Sequence, residues 1–497
     1  MNPMKYRIAL CLALTCLVHD AAQAHSFNVS YVLPIPLWIY MYACMAMLVV
    51  SFAVIAYFFT TPAAATVAAP SAVATGPGQV AGTVGRSTIA VLRGGAAALL
   101  VVTIIAGLIG TKDPLTNVNM TLFWVVFLLG FAYLTAMFGD LFAAISPWEA
   151  LLDVCERCGV SFSQARVRYP QALGYLPALG GYVGLIWIEL FTEPRPFTLS
   201  VALMIYTGIV LAGAWLFGRA AWTRHGEFFS LFFRLIGSMA PVAYTRFPGR
   251  DVWQWRLRPL FSGIVDGHEA HWTLVLFVLF MLSSSTYDGL HDTQVWLDIF
   301  WKHLLQLIEP FWGTVTLKQR STLIIESHAV YQRGGLFLVL AVYVAVYWSA
   351  VAAARKLAGS IVPVRDLAVR FAFSLVPIAF VYNVTHYFTF LIAQVRELPW
   401  LISDPLGAGW DLLHLGRVPQ WPPLDMAVIW HTQVALILIG HVASVGVAHL
   451  ISLRVFKAQR QAVLTQIPML VLMMVYTGMG LWILSLHLSQ QIAEAGG

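Results

Sequence analysis

Charged side chains are scarce in this sequence: Asp, Glu, Lys and Arg make up 10% of its 497 residues, whereas hydrophobic residues make up 59%. A soluble chain of this length needs far more charge to cover its surface, so the composition excludes a soluble globular protein. For such an apolar chain, a net charge of +6 does not indicate a nucleic-acid partner, and we expect none. The distribution of the charge bears on membrane topology instead.

Cysteine is also scarce, and two common catalytic motifs are missing. The five cysteines do not form the framework of an exported, disulfide-rich protein. Cys155 and Cys158 have the C-x-x-C spacing of a metal or redox site, but no second pair accompanies them. The sequence has no G-x-S-x-G motif to indicate a serine hydrolase, and His268 and His271 lack the HExxH spacing of zinc proteases.

Long apolar runs, in contrast, recur along the whole chain. Runs of roughly 18 residues or more are long enough to cross a bilayer, and they predict an all-α, polytopic transmembrane helix bundle. We predict about ten spans, which form a single membrane domain over residues 25–497. The predicted spans cover residues 36–59, 95–111, 120–143, 174–192, 198–218, 272–290, 334–354, 370–395, 427–453 and 464–488.

Residues 1–24 have the pattern of a cleaved signal peptide. Lys5 and Arg7 precede an apolar core at residues 8–18, and the small residues Ala22 and Ala24 mark a cleavage site. Cleavage there makes His25 the N-terminal residue of the mature chain, on the outer side of a bacterial inner membrane.

The basic residues predict which loops face the cytoplasm. If residue 25 is outside, cytoplasmic loops contain 19 of the 29 Lys and Arg residues and periplasmic loops contain 8, which agrees with the positive-inside rule. The cytoplasmic loops include a flexible linker at 61–93 and a basic loop at 219–271, in which residues 228–240 are predicted to form a helix on anionic lipid. The segment 292–333 is predicted to be periplasmic, with an apolar helix over 299–313 that lies flat or re-enters the membrane.

Histidines lie inside the eighth and ninth spans, where ionisable side chains are costly and therefore usually functional. Counting residues along each helix places His386 and His431 at similar depths near the periplasmic surface, with His441 deeper and able to support them from beneath. Tyr382 and Asn383 share a helix face with His386. The alternative for each histidine is a plain hydrogen bond to a neighbouring helix.

Carboxylates are predicted at the same level of the membrane. Asp288, His291 and Asp292 follow one another at i, i+3 and i+4, so they share one face if the sixth helix continues past Gly289. Two carboxylates and an imidazole can bind a divalent metal. Glu189, after an apolar run in the fourth span, needs a partner at this depth. The alternative is a solvated polar turn at a helix end.

His25 could bind copper through its α-amine and its imidazole together if it begins the mature chain. The alternative is that a signal peptidase merely tolerates histidine after its cleavage site. If His25 captures a metal ion, the buried His441 and His449 could continue a path inward.

Several stretches resemble a family of bacterial integral-membrane proteins named after fenitrothion hydrolase, a membrane-bound hydrolase of an organophosphorus insecticide. The resemblance spans nearly the whole mature chain and implies hydrolysis of a phosphotriester, but it supplies no catalytic residues. The matching stretches are 33–39 (LPIPLWI), 139–152 (GDLFAAISPWEALL), 285–293 (STYDGLHDT), 374–389 (SLVPIAFVYNVTHYFT), 403–413 (SDPLGAGWDLL), 431–449 and 467–483 (IPMLVLMMVYTGMGLWI).

The leading hypothesis is a metal-dependent phosphotriester hydrolase in the inner membrane, with a site that opens to the periplasm. A small apolar substrate enters from the bilayer, and a divalent metal ion such as zinc or copper activates water. The predicted metal ligands are His386, His431, His291 and His25, the general base or further ligand is Asp288, Asp292 or Glu189, and His441, Asn383 and Tyr382 support them.

Two other functions are open at this point. The first is a non-catalytic membrane protein that binds or transports copper or another transition metal. The second is a proton-coupled transporter, which the absence of a visible inverted repeat disfavours. The sequence leaves the oligomeric state open.

Overall fold

The computed structural model describes residues 35–59, 80–193, 195–246, 252–265, 271–415 and 425–495. Within these ranges the chain forms a helix bundle, and nine of its helices are long and apolar enough to cross a membrane. The predicted all-α helix bundle is therefore confirmed, and its long apolar helices are typical of a membrane protein. The predicted signal peptide and His25 lie outside the described residues.

We number the longer helices in chain order. They are α1 (Leu37–Phe58), α2 (Arg86–Ile109), α3 (Val118–Phe138), α4 (Pro147–Arg157), α5 (Leu176–Phe191), α6 (Pro196–Phe217), α7 (Arg219–His225), α8 (Phe228–Gly237), α9 (Thr273–Leu290), α10 (Leu317–Leu357), α11 (Val364–His386), α12 (Phe388–Ser403), α13 (Met426–Val455) and α14 (Gln459–Ala495). Shorter helices lie at Phe142–Ile145, Gln171–Leu173, Ser262–Val265, Gln294–Asp298, Ile299–Leu304, Leu305–Ile308 and Glu309–Trp312.

Each of the ten predicted spans contains an apolar helix of the bundle. Nine of them have the length of a membrane span within the described ranges. The exception is the fourth, predicted at 174–192, which forms α5 with 16 residues. A helix that crosses a bilayer needs about 20 residues, so α5 is a shorter apolar helix beside the nine that are long enough within the described ranges.

The eighth predicted span is interrupted, which the sequence pattern did not reveal. The prediction was one helix over 370–395, but α11 ends at His386 and α12 begins at Phe388. Tyr387 between them has φ −90° and ψ 9°, in the sparsely populated bridge region of backbone conformation. The interruption lies beside the side chains of Glu189 and Asp288, to which the Tyr387 hydroxyl is hydrogen-bonded.

The segment 292–333 is folded rather than a simple loop. Short helical pieces run from Gln294 to Trp312, which agrees with the helix predicted at 299–313. Helix α10 then begins at Leu317, and its 41 residues correspond to about 60 Å. A bilayer core is about 30 Å thick, so the predicted span 334–354 is only the second half of a much longer helix.

The loops predicted to be cytoplasmic contain a small sheet that the sequence pattern did not indicate. Strands β1 (Val80–Val84), β2 (Val242–Arg246) and β3 (Trp253–Leu257) are antiparallel, in the order β1–β3–β2. The prediction of a flexible linker at 61–93 is therefore wrong for the second part of that range, where β1 and the start of α2 lie. Its first part, residues 61–79, is outside the described residues.

Helix α8 forms where an amphipathic helix was predicted, but it does not lie on lipid. Glu227 caps it, because its carboxylate accepts hydrogen bonds from the backbone N–H groups of Phe229 at 3.0 Å and Ser230 at 2.6 Å. Its aromatic side chains are buried by protein: Phe229 stacks on Trp148, and Phe228 stacks on Tyr182 of α5. The helix is therefore part of the core, and it packs against α5.

Candidate acid–base site at three helix ends

Three polar side chains meet where three helices end. Glu189 lies near the end of α5, Asp288 lies in the last turn of α9, and His386 is the last residue of α11. Because each lies at the C-terminal end of its helix, all three helices run in the same direction towards this site. The sequence predicts one depth in the membrane for these three residues together with His291, Asp292 and His431, and the structure brings Glu189, Asp288 and His386 close to one another.

Hydrogen bonds join the three side chains. His386 contacts Asp288 directly, and Tyr387 connects Asp288 to Glu189. The Nε2 atom of His386 lies 2.6 Å from Oδ2 of Asp288. The hydroxyl of Tyr387 lies 2.9 Å from the same oxygen and 2.6 Å from Oε1 of Glu189. The order of the contacts is thus Glu189, Tyr387, Asp288, His386, and we call these four residues the acid–base cluster.

The central pair of the acid–base cluster is largely buried, so the hydrogen bond between its two side chains affects the energy of the site. The side chain of Asp288 is 8% exposed and that of His386 is 14% exposed. An isolated charge in such a place is expensive, whereas a hydrogen-bonded carboxylate and imidazole compensate each other. Removing one partner would leave an uncompensated buried polar group.

The interruption at Tyr387 allows two consecutive residues to reach one carboxylate. In a continuous helix the side chains of neighbouring residues point about 100° apart. Here the rings of His386 and Tyr387 lie 4.7 Å apart and nearly perpendicular, and both contact Oδ2 of Asp288. Tyr387 was not predicted because the span was expected to be one continuous helix. In such a helix the residues three and four positions before His386 share its face, whereas the next residue does not.

A small cavity lies against the carboxylates. Its volume is about 20 Å³, which is enough for about one water molecule. Glu189, Asp288 and Tyr387 line it together with Asn383 and the serines at 284 and 285. The cavity thus places a single water-sized space among two carboxylates, a phenol and an amide.

The other wall of the cavity is apolar. Leu128, Leu185 and Leu190 line it, and all three are only half-buried. Leu128 belongs to a π-helical part of α3, Thr121–Gly130, and such wide turns frequently occur at functional sites.

Helix α10 fixes the end of α9 and therefore the position of Asp288. The hydroxyl of Tyr287 donates to the backbone carbonyl of Gln332, and the Nε2 group of Gln332 donates to the carbonyl of His291 at 3.2 Å. Trp296 donates to Oε1 of the same glutamine at 2.8 Å. Gln332 was not singled out in the sequence because it lies in the segment predicted to be an external loop.

His291 and Asp292 lie beside the acid–base cluster but do not line the cavity. The Nδ1 atom of His291 lies 2.8 Å from the backbone carbonyl of Asp288, and its Nε2 atom lies 3.3 Å from Asp292. The side chain of Asp292 is 66% exposed. The shared face predicted for the three residues required the helix to continue, whereas α9 ends at Leu290.

The two supporting residues predicted before His386 have different surroundings. Asn383 lines the cavity. Tyr382 packs instead against Gly480 of α14, where a Cβ atom added to the glycine would lie 2.9 Å from the tyrosine ring. Of the two residues predicted to share a helix face with His386, only Asn383 therefore lies beside the water-sized cavity.

His431 is not brought to the acid–base cluster. It is exposed, its Nδ1 atom lies 2.7 Å from the carbonyl of Ala427, and its Nε2 atom lies 3.3 Å from the hydroxyl of Tyr40. The side of α13 that faces α11 carries Gln433, which donates to the carbonyl of Thr385 at 2.8 Å. His431 precedes Gln433 by two residues and therefore points about 200° away.

The deeper histidines are buried away from these contacts. The Nδ1 atom of His441 lies 2.8 Å from the carbonyl of Ile437, and within the described part of the chain its Nε2 atom has no hydrogen-bond partner. His449 lies between Gln466 and the carbonyl of Phe59, at 3.0 and 2.8 Å. His449 therefore fits the alternative of a histidine hydrogen-bonded to neighbouring helices.

The predicted set of metal ligands does not assemble around one point. Across the ranges that the structure describes, no group of three or more His, Cys, Asp or Glu side chains is arranged to hold a metal ion. The Nε2 atom of His386 faces Asp288, and His431 faces outward. Copper binding by His25 stays a prediction, because that residue lies outside the described ranges.

No protein-family model, curated protein or solved structure matches this chain. The resemblance to the fenitrothion hydrolase family therefore rests on the sequence stretches given above, and the chemistry of the site rests on its geometry.

Proposed function

We propose that the protein is a membrane hydrolase in which Asp288, oriented by His386, acts as the general base for one water molecule. The observation that supports this proposal is the acid–base cluster around a cavity of about 20 Å³. Hydrolysis by this route needs a water beside a carboxylate that can take its proton, and general bases contribute about 10²–10⁴-fold to such reactions.

The proposed substrate is a neutral, apolar organophosphorus triester with an aryl leaving group. The resemblance to the fenitrothion hydrolase family suggests this class, and the half-buried apolar wall formed by Leu128, Leu185 and Leu190 suits it. A neutral triester partitions into the bilayer and can approach along this wall. The cavity itself has room for the water only, so the phosphorus centre binds at its apolar edge.

Asp288 and His386 have different roles in the proposed activation of water. Asp288 lines the cavity and can contact the water, whereas His386 lies behind it and contacts its Oδ2 atom. When Asp288 takes a proton from water, the imidazole holds the carboxyl group in the orientation that the reaction needs. Since the predicted ligands do not meet, this proposal assigns the activation of water to Asp288 rather than to a metal ion.

The proposed location is the inner membrane of a bacterium, with the acid–base cluster near the periplasmic surface. It is supported by the signal-peptide pattern at residues 1–24 and by the excess of Lys and Arg in the loops predicted to be cytoplasmic. Fusions that report the side of each loop are the direct test of this orientation.

Substituting the base tests the proposed function. Asp288→Asn keeps the size of the side chain but cannot take a proton, so membranes that contain this variant should release the phenol from an aryl triester about 10²–10⁴-fold more slowly than wild type. The matched control is Asp292→Asn, which changes an exposed carboxylate four residues away and should keep most of the activity. Wild-type membranes that hydrolyse no aryl triester, or equal losses in the two variants, would contradict the proposal.

A further inference from the structure

The hydroxyl of Tyr387 has one proton but contacts two carboxyl groups. Its distances of 2.6 Å to Glu189 and 2.9 Å to Asp288 are both those of full O–H···O hydrogen bonds. The hydroxyl can donate only one of them. In the other bond the tyrosine oxygen must accept, so one of the two carboxyl groups must be protonated and donate.

The contacts on each side indicate which carboxyl group has the proton. Oδ2 of Asp288 faces both Tyr387 and the Nε2 atom of His386, at 2.9 and 2.6 Å. In the tautomer of His386 that has its proton on Nε2, this nitrogen donates to Oδ2 and stabilises an ionised carboxylate. Within the described part of the chain Glu189 is hydrogen-bonded to Tyr387 rather than to an imidazole, and it lies beside Leu185, Ile186 and Leu190 at the apolar wall of the cavity. The proton therefore belongs to Glu189, which donates to Tyr387, and Tyr387 donates to Asp288.

We propose that Glu189 is the general acid that protonates the departing aryloxide. This role rests on the proposed function. The oxygen of water forms a bond to phosphorus while Asp288 takes the proton of that water. The bond between phosphorus and the aryl oxygen breaks with its electron pair on the oxygen, and Glu189 gives that oxygen its proton. The products are a neutral phenol and a phosphodiester acid, so atoms and charges balance.

Tyr387 returns the site to its starting state. After the reaction Asp288 holds a proton and Glu189 has lost one. Asp288 can donate its proton to the oxygen of Tyr387, while Tyr387 donates its own proton to Glu189 over 2.6 Å. The exchange needs no proton from bulk water, which suits a site at the end of buried helices.

A series of leaving groups tests the acid role. Glu189→Gln keeps a donor towards Tyr387 but has no acidic proton to transfer. For a triester of 4-nitrophenol, whose anion leaves readily, the variant should lose less than about 10-fold. For the matching triester of unsubstituted phenol the loss should be about 10²–10⁴-fold. In contrast, Asp288→Asn should slow both esters alike, because the water must be activated in either case.

Infrared spectroscopy tests the position of the proton without any substrate. Purified wild-type protein should show the carbonyl band of a protonated carboxylic acid that is absent from Glu189→Gln. In Tyr387→Phe the band should persist and shift, because the carboxyl group loses its hydrogen-bond partner.

Each result supports or overturns one part of the proposal. If no such band disappears in Glu189→Gln, or if this variant slows both esters equally, Glu189 is not the general acid. If the band is present but wild-type protein hydrolyses neither ester, the proposed function fails, and the leaving-group role fails with it. In that case the assignment of the proton to Glu189 still holds.

Discussion

His386 and His431 have the same predicted depth but very different surroundings. His386 is 14% exposed and lies 2.6 Å from a buried carboxylate, whereas His431 is exposed and contacts Tyr40. Both lie near a helix end on the same side of the bundle. Their difference shows that depth in the membrane is not enough to identify a site, and that the helix face decides which polar side chains meet.

The same comparison explains why Gln433 matters and was overlooked. An amide in a spanning helix draws less attention than an imidazole, since it has no charge to compensate. Yet Gln433 is one of the residues of α13 that face α11, and it donates to a carbonyl in the last turn of that helix. Such carbonyls lack partners within their own helix. The glutamine therefore stabilises the helix end that presents His386 and Tyr387.

The largest expected difference between the two histidines is in turnover. His386→Ala removes the group that orients Asp288, so we expect hydrolysis of an aryl triester to fall at least about 10²-fold. His431→Ala should stay within about 2-fold of wild type, because its side chain contacts no residue of the acid–base cluster. Release of the phenol, normalised to the amount of protein in the membrane, measures both. A comparable loss in the His431 variant would restore the two-histidine site that the sequence predicted.

A smaller difference, in the free energy of unfolding, is expected between substitutions of two neighbouring residues of α13. Gln433→Met keeps the volume of the side chain but removes the hydrogen bond to α11, which should lower the free energy of unfolding by about 1 kcal/mol. Thr432→Val, at the neighbouring position, where the hydroxyl donates to the carbonyl of Val428 in its own helix, should change it by less than about 0.5 kcal/mol. Denaturant unfolding in detergent compares the two variants. Equal effects would mean that the contact between Gln433 and Thr385 does not stabilise the helix end.

The membrane fold and three of the four residues of the acid–base cluster were predictable from the sequence for physical reasons. Apolar runs specify spans, and alternating direction places the ends of the fourth, sixth and eighth helices on one side. Polar residues near those ends, Glu189, Asp288 and His386, were therefore expected at one level. What the pattern cannot show is where a helix stops. Because the helices end at Leu290 and His386, the side chain of Asp292 is exposed and that of Tyr387 contacts the buried carboxyl groups.

The same limit explains the errors elsewhere in the chain. Helix α8 has the apolar periodicity of a lipid-facing helix, but its aromatic rings pack on Trp148 and Tyr182. Periodicity identifies an apolar face without identifying what covers it. The strands β1 to β3 are short pieces in loops, and their pairing depends on contacts between residues far apart in sequence.

The central claim is that Asp288 and His386 act as one unit, and a double-mutant cycle tests it most directly. The rate of phenol release is compared for wild type, Asp288→Asn, His386→Ala and the double variant, each at a verified level in the membrane. If His386 acts through Asp288, the double variant should be no slower than the slower single variant, because residues that act as a unit show strongly non-additive losses. If the two losses multiply, the residues act independently, and the proposed base is wrong.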